Sequence, residues 1–102
     1  MSESNGTGQK QIQSLARAMQ IIDFIVDNRN SASLTQISRG LGLSKSTVHG
    51  LISTLEQHDY VFQDQVSGHY QLGLKLFELG QVVYERMDLR SIAYPILLEL
   101  SE

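Results

Sequence analysis

The chain has 102 residues, 41% of them hydrophobic, with no cysteine and a formal net charge of −3. That length allows one compact domain with a tail or connecting arm and excludes a multidomain enzyme, and the missing cysteines exclude disulfides, thiolate zinc sites and thiol catalysis. Apolar runs of two to three residues after a polar start give neither a signal peptide nor a membrane span, so a cytoplasmic protein is expected.

Charge is unevenly placed. The sequence pI is about 5.5, which argues mildly against a nucleic-acid partner. Yet no acid lies between Asp27 and Glu56, and that window holds Arg29, Arg39 and Lys45, leaving −6 for the remainder. A local basic face on an acidic body suits a steered anion contact.

Residues 1–12 read as a disordered tail, since 2–10 offer nothing apolar to a core. From Ser14, an expected N-cap, Leu15, Ala18, Met19, Ile22, Ile25 and Val26 recur at helical spacing, and the helix should stop near residues 28–30. Ile21 and Phe24 fall beside that stripe and widen it, which reads first as extra core and otherwise as contact with a second subunit. Leu34 follows, then Thr35 as the expected N-cap of a short helix reaching Leu41. Gly42 and Leu43 form a turn, and Ser44 caps a second helix that runs to about His58. Ile37, Leu41, Gly42, Leu43, Val48 and Leu51 meet the demands of a helix-turn-helix, and Ser38 is small where the helices approach. Gly40 is a weak point, because glycine inside a helix costs about 1 kcal/mol relative to alanine.

The second of these helices shows Lys45, Ser46, His49, Gly50 and Ser53 opposite its buried stripe of Val48, Leu51, Ile52 and Leu55. Its N-terminus combines free N–H groups, a positive dipole end, Lys45 and the hydroxyls of Ser44, Ser46 and Thr47, which suits a phosphate. The slim, polar face fits a major groove about 12 Å wide, with Lys45, Ser46, His49 and Ser53 able to reach base edges.

Tyr60, Phe62, Tyr70 and Leu72 sit at strand spacing around a turn at Ser67 and Gly68, so residues 59–72 read as a β-hairpin whose loop, near 65–69, projects as a wing. Leu76, Phe77, Gly80, Val83, Tyr84 and Met87 then give another amphipathic helix. Leu89, Ile92, Ala93, Ile96, Leu97 and Leu100 give a further one, interrupted by Pro95. The fold class is mainly α with a small hairpin wing: a winged helix-turn-helix over 13–73, followed over 74–102 by a linker helix and the start of a further, truncated domain. Phe77, Val83, Tyr84 and Met87, with Ile21 and Phe24, exceed what so small a core can cover. An isologous homodimer is therefore expected, its two domains spaced by about one helical turn of DNA or a multiple of it.

These motifs resemble the amino-terminal domain of IclR-type (isocitrate lyase regulator) bacterial transcription regulators. The likeness runs from about Gln13 to Glu102. It rests on Ser14-Leu-Ala-Arg-Ala through Ile22, on Leu34-Thr35-Gln36-Ile37, on Leu41-Gly-Leu-Ser-Lys-Ser-Thr-Val-His49 with Leu55, and on Tyr70-Gln-Leu-Gly73. It implies a dimeric regulator that binds a pseudo-palindromic double-stranded operator, with a small-molecule-sensing domain of GAF-like fold after the linker. Thr35, Gln36, Arg39, Ser44, Lys45, Ser46, Thr47, His49, Gly50, Ser53 and His69 are the expected DNA-contacting residues. The chain departs from the family's usual pattern at Gln36, where an acid is common, at Ser38 in place of alanine, at Gly50, and at His69 and Gln71, where the wing often has Arg or Lys.

Two readings compete. The only histidines, His49, His58 and His69, are nine and eleven residues apart, which fits neither a helical metal pair nor a local catalytic set, so no enzyme, metal or cofactor is expected. A winged helix used only for protein contact or dimerisation is the alternative function. A capped, cationic helix end without aromatic or aliphatic anchors speaks against it.

Overall fold

The computed structural model describes residues 10–86. Its elements are helix α1 (Gln13–Asp27), α2 (Leu34–Leu41), α3 (Lys45–Gln57), strand β1 (Val61–Gln63), β2 (Tyr70–Leu72) and α4 (Leu74–Arg86). The wing helix-turn-helix and the helix after it are thus present. The tail at residues 1–9, Met87, Pro95 and the helix expected from Leu89 lie outside the described residues.

Eight side chains make the core: Ile21, Ile25, Ala32, Ile37, Val48, Ile52, Val61 and Tyr70, contributed by α1, the loop before α2, α2, α3 and the hairpin. Burial and the nearby Glu56 push the Tyr70 hydroxyl above its usual pKa. The centre of α1's buried face differs from the expected stripe. Ile21 is fully buried while Leu15 and Met19 are 56% and 58% exposed, because α2, α3 and β2 all pack on the Ile21 and Ile25 side. Ile21 is therefore core and not a dimer contact. Phe24 is half-buried against the core, and its ring lies where a Cβ on Gly40 would collide with it. Its apolar surface is used within the chain, and Gly40 is the glycine that lets α1 and α2 approach.

Local chemistry sets the helix ends. Ser14 does not cap α1, which starts one residue before it with Ile12 at the N-cap and no side-chain cap. Nor does Thr35 cap α2: Ser33 does. Ser33 Oγ accepts from Gln36 N–H (3.1 Å), and Gln36 Oε1 accepts from Ser33 N–H (2.8 Å), a reciprocal capping box. The turn between α2 and α3 works as expected, with Gly42 at φ 68° closing α2 and Leu43 N–H reaching back to Ser38 carbonyl (3.0 Å). Ser38 Oγ in turn donates to the Leu43 carbonyl, so the small residue at the crossing also ties the turn.

The hairpin is antiparallel, pairing Val61 with Leu72, Phe62 with Gln71 and Gln63 with Tyr70. Neighbouring strand residues face opposite ways, so Val61 is buried and Phe62 is 47% exposed. Unforeseen from the sequence, Ala32 forms a β-bridge with Tyr70, with Tyr70 N–H to Ala32 carbonyl at 2.7 Å and the return bond at 3.1 Å. Asn30 Oδ1 accepts from Leu72 N–H (2.8 Å) and Ser31 Oγ lies 3.1 Å from His69 Nδ1. Three ties thus fix the wing to the loop that opens the helix-turn-helix.

Candidate nucleic-acid interface

The exposed run on α3 begins at its N-cap. Ser44 is extended (ψ 154°), and its Oγ accepts from Thr47 N–H (3.2 Å) while donating to Thr47 Oγ1 (2.9 Å). Ser44 and Thr47 are thereby engaged in holding the helix start, and Ser46 Oγ stands 3.3 Å from Ser44 Oγ. Lys45, Ser46, His49 and Gly50 are exposed in sequence along the first two turns. A Cβ at Gly50 would meet nothing within 4 Å, so the helix is narrow there because nothing projects, not because a neighbour presses on it. Ser53 is half-buried and sits at the edge of this face, where exposed Thr54 continues it, its Oγ1 donating to the Gly50 carbonyl (3.3 Å).

The structure brings together Ser44, Lys45, Ser46, Thr47, His49 and Gly50 as one surface of α3. On α2, Thr35 lies half-buried in the first turn and Arg39 is exposed in the last, where a cation favours the helix dipole. Gln36 uses its carbonyl oxygen in the capping box and receives a longer bond from Asn28 Nδ2 (3.4 Å). Its role here is to hold α2, and the amide nitrogen is what it has left to offer outward. His69 does not project from the wing. It is half-buried at the start of β2, its ring turned to Ser31.

Sequence reasoning missed the residues at the apex of the wing. Asp64 Oδ2 accepts from both the N–H and the hydroxyl of Ser67 (2.8 Å each), and these bonds hold its carboxyl below the usual range. Gly68 N–H returns to the Asp64 carbonyl (2.8 Å), and Gln63 Nε2 donates to the Gly68 carbonyl (2.9 Å). Gln65 and Val66 stand at the tip of this loop, Val66 96% exposed. The signal was available: a hydrophobic residue between turn formers, in a loop without a cation.

Beyond the wing, α4 has no buried residue, and Leu74, Phe77, Leu79, Val82, Val83 and Tyr84 are 39–65% exposed. Among the described residues no cluster of three His, Asp or Glu side chains could hold a metal ion, and no helix is long and apolar enough to cross a membrane.

Residues 14–65 match the IclR helix-turn-helix domain. The chain is 44% identical over 90 residues to the HTH-type transcriptional regulator XynR of Escherichia coli K12, covering 88% of this chain and 36% of that protein. Its fold superposes on an IclR transcriptional regulator from Alicyclobacillus acidocaldarius with a TM-score of 0.73 at 31% identity, over 78% of this chain and 32% of that one. A second solved structure, the Zalpha domain of Carassius auratus PKZ in complex with Z-DNA, matches with a TM-score of 0.54 at 26% identity, over 59% of this chain and 97% of that domain. The chain spans about a third of the length of the IclR-type proteins it matches.

Proposed function

The chain belongs to the IclR family of transcriptional regulators, and from that premise we propose that it is the DNA-binding part of one, reading a double-stranded operator with α3 in the major groove. The observation that carries the reading is the α3 surface itself. Its capped N-terminus presents unpaired backbone N–H groups and Lys45 to a phosphate, while Ser46 and His49, one turn apart, face outward past a glycine that keeps the helix slim. Lys45 then positions the domain and His49 and Ser46 select bases. That a fold neighbour matched over 59% of this chain is bound to Z-DNA supports a nucleic-acid contact for this fold.

One such domain spans only a few base pairs, so specificity requires a second, placed a helical turn of DNA away by a two-fold interface. The exposed apolar face of α4 supports a homodimer through Phe77, Val83 and Tyr84, continued by Leu15 and Met19 of α1 beside Leu76. A small-molecule effector belongs to this reading only through a domain following the linker, as in the family resemblance.

Electrophoretic mobility shifts against random duplexes and against duplexes selected from a random pool test the proposal. Preferential binding of the selected duplex is expected. Counting Arg29, Arg39, Lys45 and the helix-end amides, the log–log salt slope for a dimer should be about −3 to −6. Failure to bind any duplex overturns the reading, and a slope near −10 would mean that most of the contact surface lies elsewhere.

A further inference from the structure

Within residues 13–73 every glycine but one has a cause inside the chain. Gly42 and Gly68 stand at φ 68° and 78°, in the left-handed region that glycine enters without penalty. At Gly40 a Cβ would meet the Phe24 ring, and at Gly73 it would meet the Asp59 carbonyl. Gly50 has neither reason. It lies within α3 without a positive φ, and a Cβ there would meet nothing within 4 Å. Glycine inside a helix is less stable than alanine, so the fold alone favours alanine at this position, and a benefit outside the chain is what offsets the cost. Gly80 of α4 is open too, on the helix proposed above as a subunit contact.

The chemistry of the position narrows that benefit. Gly50 is exposed, with His49 before it in sequence, Ser46 one helical turn earlier and Thr54 one turn later. It has no hydrogen bond to give a base. Its N–H is spent in the helix, and its carbonyl, likewise part of the helical ladder, also accepts from Thr54 Oγ1 (3.3 Å). What it presents is bare Cα surface at the floor of a gap between polar side chains. The major-groove edges of the bases carry hydrogen-bond donors and acceptors and one apolar group, the C5-methyl of thymine. Methylation of cytosine at C5 puts the same group at the same place on the ring. A gap without a Cβ lets such a methyl reach the helix backbone, and no other edge group gains from a surface that neither donates nor accepts.

We propose that Gly50 is a specificity-determining residue of α3, its missing side chain admitting the C5-methyl group of a pyrimidine against the helix backbone between Ser46 and Thr54. This rests on the DNA-binding reading above and names a chemical group that the surface selects.

The test uses the 102-residue chain and the tightest duplex it selects from a random pool, with each thymine replaced in turn by deoxyuridine, which removes the methyl and nothing else. The parent should bind about three- to tenfold more weakly when one particular thymine of the site is replaced. Gly50→Ala should raise the thermal midpoint by about 4–8 °C and yet bind the thymine duplex about three- to tenfold more weakly. Its Cβ fills the space of the methyl, so the deoxyuridine duplex should bind this variant at least as tightly as the thymine duplex. Placing cytosine and then 5-methylcytosine at that position separates the two sources: a gain on methylation extends the selection to methylated cytosine, and no gain confines it to thymine. If the parent binds every deoxyuridine duplex within about twofold of the thymine duplex, the methyl inference falls while the α3 reading stands. A Gly50→Ala chain that keeps the parent's preference for thymine overturns it equally. If the parent selects no duplex, both fall.

Discussion

Residues 13–73 and α4 are unlike in how they use their apolar residues. In the winged domain the large aliphatic side chains of three helices close on one another: Ile21, Ile25, Ile37, Val48 and Ile52 are fully buried. In α4 every residue from Leu74 to Arg86 is at least partly exposed, including Phe77 at 61% and Val83 at 55%. Both segments have helical apolar spacing, so pattern alone does not tell a helix that completes its own core from one whose face needs another surface. The difference lies in tertiary supply. The first domain brings three helices and a hairpin to one point, while α4 leaves that point after Gly73.

The sharpest way to break the contrast is to charge both regions. Ile52→Asp should abolish folding, since an unpaired carboxylate joins the loss of a buried side chain, and even Ile52→Ala should cost about 2–5 kcal/mol. Phe77→Asp or Val83→Asp should leave the thermal midpoint of the winged domain unchanged and convert a dimer to a monomer in sedimentation. A wild-type chain that is monomeric at micromolar concentration would remove the dimer from the account, and an unfolded Phe77→Asp would show that α4 belongs to the core after all.

A smaller effect separates helix propensity from packing. Alanine at a helical glycine ordinarily stabilises by about 1 kcal/mol, but a Cβ on Gly40 runs into the Phe24 ring. Gly40→Ala should therefore destabilise by about 1–3 kcal/mol. In a Phe24→Leu background, where the ring is absent, the same change should approach neutrality. Thermal unfolding of the four chains measures the coupling, and a stabilising Gly40→Ala in the parent would contradict the close approach of α1 and α2.

The smallest expected effect concerns the wing. Asp64 has its folded pKa lowered by Ser67, so the stabilisation it gives is fully present above the carboxylate's unfolded pKa of about 3.9. That contribution is lost as pH falls through the lower folded value. The melting temperature of the parent should fall slightly further between pH 6 and pH 3 than that of Asp64→Asn, and equal falls would show that the Ser67 bonds do not persist in solution.

Much of this architecture was legible because it is local. Ser44 as a cap, Gly42 in the turn and the buried positions Ile37, Val48 and Ile52 follow from spacings within one or two helical turns. The α2 cap is also legible, since Ser33 and Gln36 stand at the separation of a capping box, which Thr35 two residues later does not share. Other features needed the three-dimensional neighbours. Ile21 rather than Leu15 or Met19 faces the core because of what packs on α1, and Gly40 is suited to its place by a ring sixteen residues away. A strand of three residues is too short for alternation to decide between Val61 and Phe62, and the Ala32 to Tyr70 bridge has no local signal at all. In the candidate site the same division holds: the α3 surface was readable, whereas Gln36 and His69 proved to be occupied in holding the frame, and the wing apex was overlooked because it carries no charge.

Base selection by α3 is the central claim, and paired affinity measurements of His49→Ala on selected and random duplexes test it most directly. Loss of about 1–3 kcal/mol on the selected duplex, with little change on random DNA and relaxed choice at one base pair, is the predicted result. An equal loss on both would make His49 a general contact and contradict the assignment of α3 as the reading element.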